Sequence, residues 1–209
     1  MIVLGLDTCL ASCSVAVNDG ERVLASASET MARGHQERLA PMAEAVMRKA
    51  YLPFQALERI GVTVGPGSFT GLRVGIAFAK GLASSLSLPA CGIGTLEALA
   101  AGVEGLAFAV IDARRDQVYC QAFENSQALM APDALAIETA AARLAEIAMG
   151  RQLTLIGSGA PLLASMVPTA RLVEADGADA RQVARLAALR TPGPLTPLYL
   201  RTPDAKLPA

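Results

Sequence analysis

The stretch Ile60-Gly61-Val62-Thr63-Val64-Gly65-Pro66-Gly67-Ser68-Phe69-Thr70-Gly71-Leu72-Arg73-Val74-Gly75 runs from a short β-branched segment, through a glycine-rich loop, into a long helical pattern. A strand that turns into a helix through glycines points backbone N–H groups and the positive end of the helix dipole at the loop, which favours anions. The spacing does not match the common phosphate loops. A Walker A loop needs Lys and Ser/Thr after its last glycine, where this chain has Leu72 and Arg73. A dinucleotide fingerprint is G-x-G-x-x-G, whereas this loop reads G-x-G-x-x-x-G and has no acidic residue about twenty positions on. Two readings stay open: a strand-to-helix turn that needs glycine for backbone reasons, or a nucleotide contact through Gly65 and Gly67.

The helix expected from 71 to about 86 carries Gly71, Gly75 and Ala79 on one face. Each interior glycine costs a helix about 1 kcal/mol relative to alanine, so close approach of another backbone is the expected compensation. That backbone is either the chain's own sheet or a partner helix. In the second case the stripe Leu39, Met42 and Val46 of the preceding helix shares the interface, and Met42 and Met47 suit an adaptable surface.

Outward from this centre, residues 2–8 read as a buried strand, and 12–18 and 22–28 as a hairpin around the Asn18-Asp19-Gly20 turn. A helix follows over 35–52, with Pro41 expected in its first turn. Then come strands at 60–64 and 89–93, and a short helix with Thr95 as its N-cap. The order β-β-β-α-β-α-β is that of a ribonuclease-H-like lobe. After a boundary near 102–105, strands at 106–112 and 117–124, a helix at 138–149, a strand at 153–156 and a helix at 178–189 repeat the scheme in shortened form. The expectation is an α/β chain with mixed sheets: lobes at 1–104 and 105–190, and a Pro-rich tail at 191–209 whose Leu198-Tyr199-Leu200-Arg201 docks on a lobe.

Composition narrows the function. Hydrophobic residues make up 53% and aromatics 4% of the 209 residues, so the core is aliphatic. A net charge of −1 lacks the basic excess that drives autonomous nucleic-acid binding. Cys9, Cys13, Cys91 and Cys120 form neither a CxxC motif nor a zinc half-site and are expected as buried thiols of a reducing compartment. The N-terminus has no signal-peptide pattern and no apolar run spans a membrane, so a cytoplasmic protein is expected. His35 is the single histidine, which rules out a His-x-x-x-His metal site. It reads as a helix-start residue. Asp7 and Asp112 each end a strand that opens a half, where an acidic residue can hold a nucleotide's metal or serve only as a capping carboxylate. Arg114 and Arg115 on the second hairpin are the local candidates for an anionic partner, and Gly157-Ser158-Gly159 is a weak second glycine loop.

Five segments together resemble the TsaB (YeaZ) family: residues 2–8, 34–39, 64–75, 112–119 and 197–201. The run Gly65-Pro66-Gly67-Ser68-Phe69-Thr70-Gly71 is the most specific of them, and the matches span nearly the whole chain. Gln36 departs from the pattern, in which Ser commonly follows the histidine. The resemblance implies a two-lobed fold of the actin and sugar-kinase (ASKHA) type and a role in threonylcarbamoylation of adenosine 37 in tRNAs reading codons that begin with A. It implies no catalytic or metal residues of the chain's own, because the paralogue TsaD carries the metal-binding histidines and the transferase chemistry. It further implies docking on TsaD through the first two helices, assembly with the ATPase TsaE, a homodimer when alone, and tRNA contact only through the complex. No cofactor is expected to bind tightly, with ATP or ADP at the partner interface left open. The alternative is an active ASKHA-type enzyme, either a small-molecule kinase or a metallopeptidase.

Overall fold

The computed structural model describes residues 1–20 and 22–201. Residues 202–209 of the Pro-rich tail lie outside the described residues.

The first half builds one sheet from β1 (Val3–Asp7), β2 (Ser12–Asn18), β3 (Val23–Thr30), β4 (Arg59–Thr63) and β5 (Ala90–Ile93), in the order β3-β2-β1-β4-β5. The hairpin strands pair antiparallel, while β4 and β5 join parallel through helical crossovers. The crossovers are α1 (His35–Lys49) and α2 (Phe69–Leu86), and both lie on the same face. The second half repeats the scheme. β6 (Leu106–Arg114), β7 (Gln117–Glu124), β8 (Gln127–Ala128), β10 (Leu153–Ile156) and β11 (Arg171–Val173) run in the order β11-β10-β6-β7-β8, and β9 (Asp133–Ala136) also pairs with β7. Here α4 (Ile137–Ala148) and α5 (Ala160–Leu163) cover one face of the sheet. Strands β8, β9 and β11 have two to four residues each and carry no period-2 pattern long enough to read from sequence.

Each half closes with a helix that packs on the other half. α3 (Thr95–Ala100) sends Leu96, Leu99 and Ala100 into a core with Ala107, Ala109, Ile111 and Phe123 of the second sheet. α6 (Ala180–Leu189), which the sequence order assigns to the second lobe, packs on the first sheet through Val183, Ala184 and Ala187. Gly5 and Gly61 are register partners on β1 and β4 and make room for it. A Cβ on Gly5 would lie 2.2 Å from the Ala180 carbonyl oxygen, and one on Gly61 2.5 Å from the Ala187 Cβ.

Two local expectations need correction. Pro41 is not in the first turn: α1 begins at His35, so the proline sits inside the helix, at an exposed position. The inward stripe of Leu39, Met42, Ala43, Val46 and Met47 holds the helix despite the lost hydrogen bond. Thr95 is not the cap of α3; Gly94 takes the N-cap position and Thr95 is the buried first helical residue. Among the described residues no helix is long and apolar enough to cross a membrane.

Candidate functional site

β1 delivers Asp7 to the sheet's carboxyl-terminal end, where open α/β sheets usually bind ligands. Here the carboxylate is fully buried. Its Oδ1 accepts from the Thr63 hydroxyl at 2.6 Å and the Cys9 N–H at 3.2 Å, and its Oδ2 accepts from the Ala178 N–H at 3.1 Å. The segment before α6 supplies the seal. A Cβ on Gly177 would lie 1.7 Å from the Ser12 hydroxyl oxygen and 3.0 Å from Asp7 Oδ2, so only glycine fits there. The Ser14 hydroxyl closes the seam by donating to the Ala178 carbonyl at 2.9 Å and accepting from the Ala180 N–H at 3.2 Å. Burial pushes the Asp7 carboxyl up to about 6; the Thr63 hydroxyl, the two N–H donors and nearby His35 pull the other way.

The glycine loop is similarly committed. Ser68 N–H donates to the Cys9 carbonyl at 2.7 Å, and the Ser68 hydroxyl caps α2 by accepting from Gly71 N–H at 3.3 Å. A Cβ on Gly67 would lie 2.3 Å from the Cys9 carbonyl oxygen, and one on Gly65 2.6 Å from the Leu198 carbonyl oxygen. The loop therefore packs against the end of β1 on one side and the tail on the other, as the turn reading requires. His35 is buried, with its Nε2 3.2 Å and 3.1 Å from the Leu10 and Ser12 carbonyl oxygens. Carbonyls only accept, so Nε2 carries the hydrogen and pins α1 to the loop after β1. Burial raises the Cys9 and Cys120 thiols to about 12 and Cys13 to about 11, which keeps them protonated and unreactive.

A cleft of about 700 Å³ separates the two sheets, lined by Leu10, His35, Phe69, Asp112, Tyr119 and Tyr199 among others. Asp7 does not line it. Asp112 instead pairs with Arg114 at 2.9 Å and accepts from the Arg114 N–H at 2.7 Å. The second glycine loop abuts the end of β6, where Gly159 N–H donates to the Val110 carbonyl at 3.0 Å and Ser158 Oγ accepts from Asp112 N–H at 3.3 Å. The tail bridges both halves: Leu198 N–H donates to the Val64 carbonyl at 2.7 Å, and the Arg201 guanidinium to the Ala113 carbonyl at 3.1 Å.

The six residues read as a partner surface, Leu39, Met42, Val46, Gly71, Gly75 and Ala79, are all buried in the chain's own first core. A Cβ on Gly71 would lie 2.0 Å from the Thr8 carbonyl oxygen, and one on Gly75 2.5 Å from Thr8 Oγ1. The close approach that the glycines allow is thus internal. Between the two helices runs a groove lined by Gln36 and Leu39 of α1 and by Phe69, Thr70, Arg73, Val74, Ala77 and Phe78 of α2. In sequence it shows only as apolar residues flanking the glycine face of α2: Val74 and Phe78 lie beside that face and pack against the first core, while Phe69 lies on the exposed side.

Known proteins share this arrangement. The YeaZ structure from Pseudomonas aeruginosa superposes with a TM-score of 0.78 at 27% identity, covering 95% of this chain and 99% of that one. The family model "TsaD: tRNA N6-adenosine threonylcarbamoyltransferase" matches residues 23–165. The chain belongs to the TsaD family, on its TsaB (YeaZ) branch. An uncharacterised protein of Mycobacterium tuberculosis is 35% identical to this TsaB-family chain over 187 residues, covering 90% of it and 82% of the relative. The Bacillus subtilis protein named tRNA threonylcarbamoyladenosine biosynthesis protein TsaB is 33% identical over 133 residues, 62% of this chain and 58% of that protein. The ROK hexokinase of Thermus thermophilus, with a TM-score of 0.53 and 17% identity over 90% of this chain and 98% of that one, places the TsaB-family chain in the ASKHA fold.

Proposed function

We propose that this TsaB-family chain is a non-catalytic subunit of the machinery that forms N6-threonylcarbamoyladenosine on tRNA, docking on TsaD and serving its transferase activity. The observation that carries this reading is Asp7. In a working nucleotide or metal site, the carboxylate at the end of the first strand must reach a ligand in the cleft. Here three of the chain's own donors and the Gly177-Ala178 backbone occupy it. The only histidine of the sequence is spent on two carbonyls, and among the described residues no cluster of His, Cys, Asp or Glu is grouped for a metal. A protein with this chemistry acts through what it binds.

The outer face of α1 and α2 is the docking surface in this reading, since it combines half-buried Val74 and Phe78 with exposed Phe69. The same face serves a homodimer when TsaD is absent, and TsaE joins the assembled complex. In this reading tRNA is contacted through the assembly, because a net charge of −1 lacks the basic excess of an autonomous binder, and the complex works in the cytoplasm.

The test is reconstitution with the cognate TsaD, a threonylcarbamoyl donor and tRNA. Modification should require both proteins, and this chain alone should give no turnover. If TsaD modified tRNA at full rate with this chain left out, the proposal would fail. ATP-dependent phosphorylation by the isolated chain would favour the small-molecule kinase instead.

A further inference from the structure

The groove between α1 and α2 holds a cation with unused hydrogen-bonding capacity. Arg73 is exposed on α2, and its guanidinium carbon sits 3.7 Å from the centre of the Phe69 ring. Its Nε donates to the Tyr199 hydroxyl at 3.3 Å, and the Phe69 and Tyr199 rings lie 5.8 Å apart. The side chain is therefore held by a ring beneath it and a hydroxyl beside it, with little rotamer entropy left to lose on binding. Among the described residues no carboxylate pairs with Arg73, although Arg22, Arg38, Arg151, Arg181 and Arg190 all have one. With Nε occupied, the two terminal nitrogens remain, and their fork matches a carboxylate approaching end-on. Val74, Ala77 and Phe78 continue the groove as an apolar strip along the same helix.

Covering that strip buries Arg73 too. A guanidinium desolvated without an anion costs more than the strip returns, so the occupant must bring its own negative charge. We propose that the docking partner seats an Asp or Glu end-on against the Arg73 guanidinium, flanked by an apolar helix face lying on Val74 and Phe78. This rests on the reading that TsaD docks on this groove and names the chemistry that selects it. Arg73 is then the charge that sets register and specificity, and Phe78 part of the apolar contact area.

The experiment measures binding of the full chain to purified cognate TsaD at low and high salt, with folding of each variant checked by its thermal transition. Arg73→Gln should weaken binding about 30-fold or more and flatten its salt dependence. Arg73→Lys should fall between, because an ammonium cannot engage a carboxylate bidentately. Arg73→Glu should be rescued by one Asp/Glu→Lys change on TsaD, with coupling visible in the double-mutant cycle. If Arg73→Gln binds like the wild type while Phe78→Glu does not bind, docking stands and the carboxylate falls. If Phe78→Glu also binds like the wild type, the docking surface itself falls. An Arg73→Gln defect seen only with added ATP or ADP makes the anion a nucleotide phosphate and overturns the proposal. A defect confined to self-association makes the occupant a second copy and overturns it as well.

Discussion

A carboxylate with no water around it destabilises the folded state when ionised, and Asp7 is in that position. Its folded carboxyl titrates at about 6 against an ordinary 3.8, so the folded chain holds the proton across that interval and the unfolded chain does not. The contribution of Asp7 to stability therefore falls as pH rises from about 4 to about 6 and levels off above it. The gap corresponds to roughly 3 kcal/mol from this one group. Urea unfolding of the wild type and Asp7→Asn between pH 4 and 8 checks this. The difference between the two should change through pH 4–6 and stay constant above 6.5, whereas a flat difference throughout would remove the burial argument. Glycines divide at the same scale. Gly75→Ala puts a methyl 2.5 Å from Thr8 Oγ1 and should cost about 1–3 kcal/mol. Gly81→Ala meets nothing within 4 Å and should stabilise by about 0.8–1 kcal/mol. Thermal melts of the pair should move in opposite directions.

At the scale of elements, α1 and α2 are each two-faced. The inner face of α1 was legible from Leu39, Met42 and Val46 at helical spacing. What covers it was not, because periodicity reports that a face is buried and never by what. The same ambiguity covers Leu39, Met42, Val46, Gly71, Gly75 and Ala79, which the structure turns inward; the groove between α1 and α2 stays open to solvent. Pro41 shows tertiary packing overriding local preference. Its ring and missing N–H act against α1, yet five apolar side chains held below it keep the helix continuous. Pro41→Ala should therefore stabilise the fold by about 1–3 kcal/mol, read as a higher urea midpoint with an unchanged slope.

The whole molecule is a duplication in which each half lends its last helix to the other. α3 completes a core on the second sheet and α6 covers the Gly5–Gly61 face of the first. The same α6 approach carries Gly177 and Ala178 over Asp7, so the helix exchange and the sealed carboxylate are one feature. Truncation after residue 174 should expose the first sheet and open Asp7 to water. The expected result is loss of a single cooperative unfolding transition and gain of dye-binding apolar surface. A truncated chain that melts cooperatively at the wild-type temperature would mean that α6 is not part of the first core.

Local chemistry by itself determined the order of the longer strands and helices, the aliphatic core, the buried thiols, the lone histidine at a helix start and the glycine loop that marks the family, but not the short β8, β9, β11 and α5. These follow from periodicity, turn residues and side-chain type, which act within a few residues of one another. Only the tertiary structure decided that the loop packs between Cys9 and the Leu198 backbone, that α3 and α6 change sheets, and that the glycine face of α2 meets Thr8 rather than a partner. Those outcomes depend on contacts between residues more than a hundred positions apart in the case of Asp7 and Ala178, and no local pattern encodes which of two faces such a contact will close.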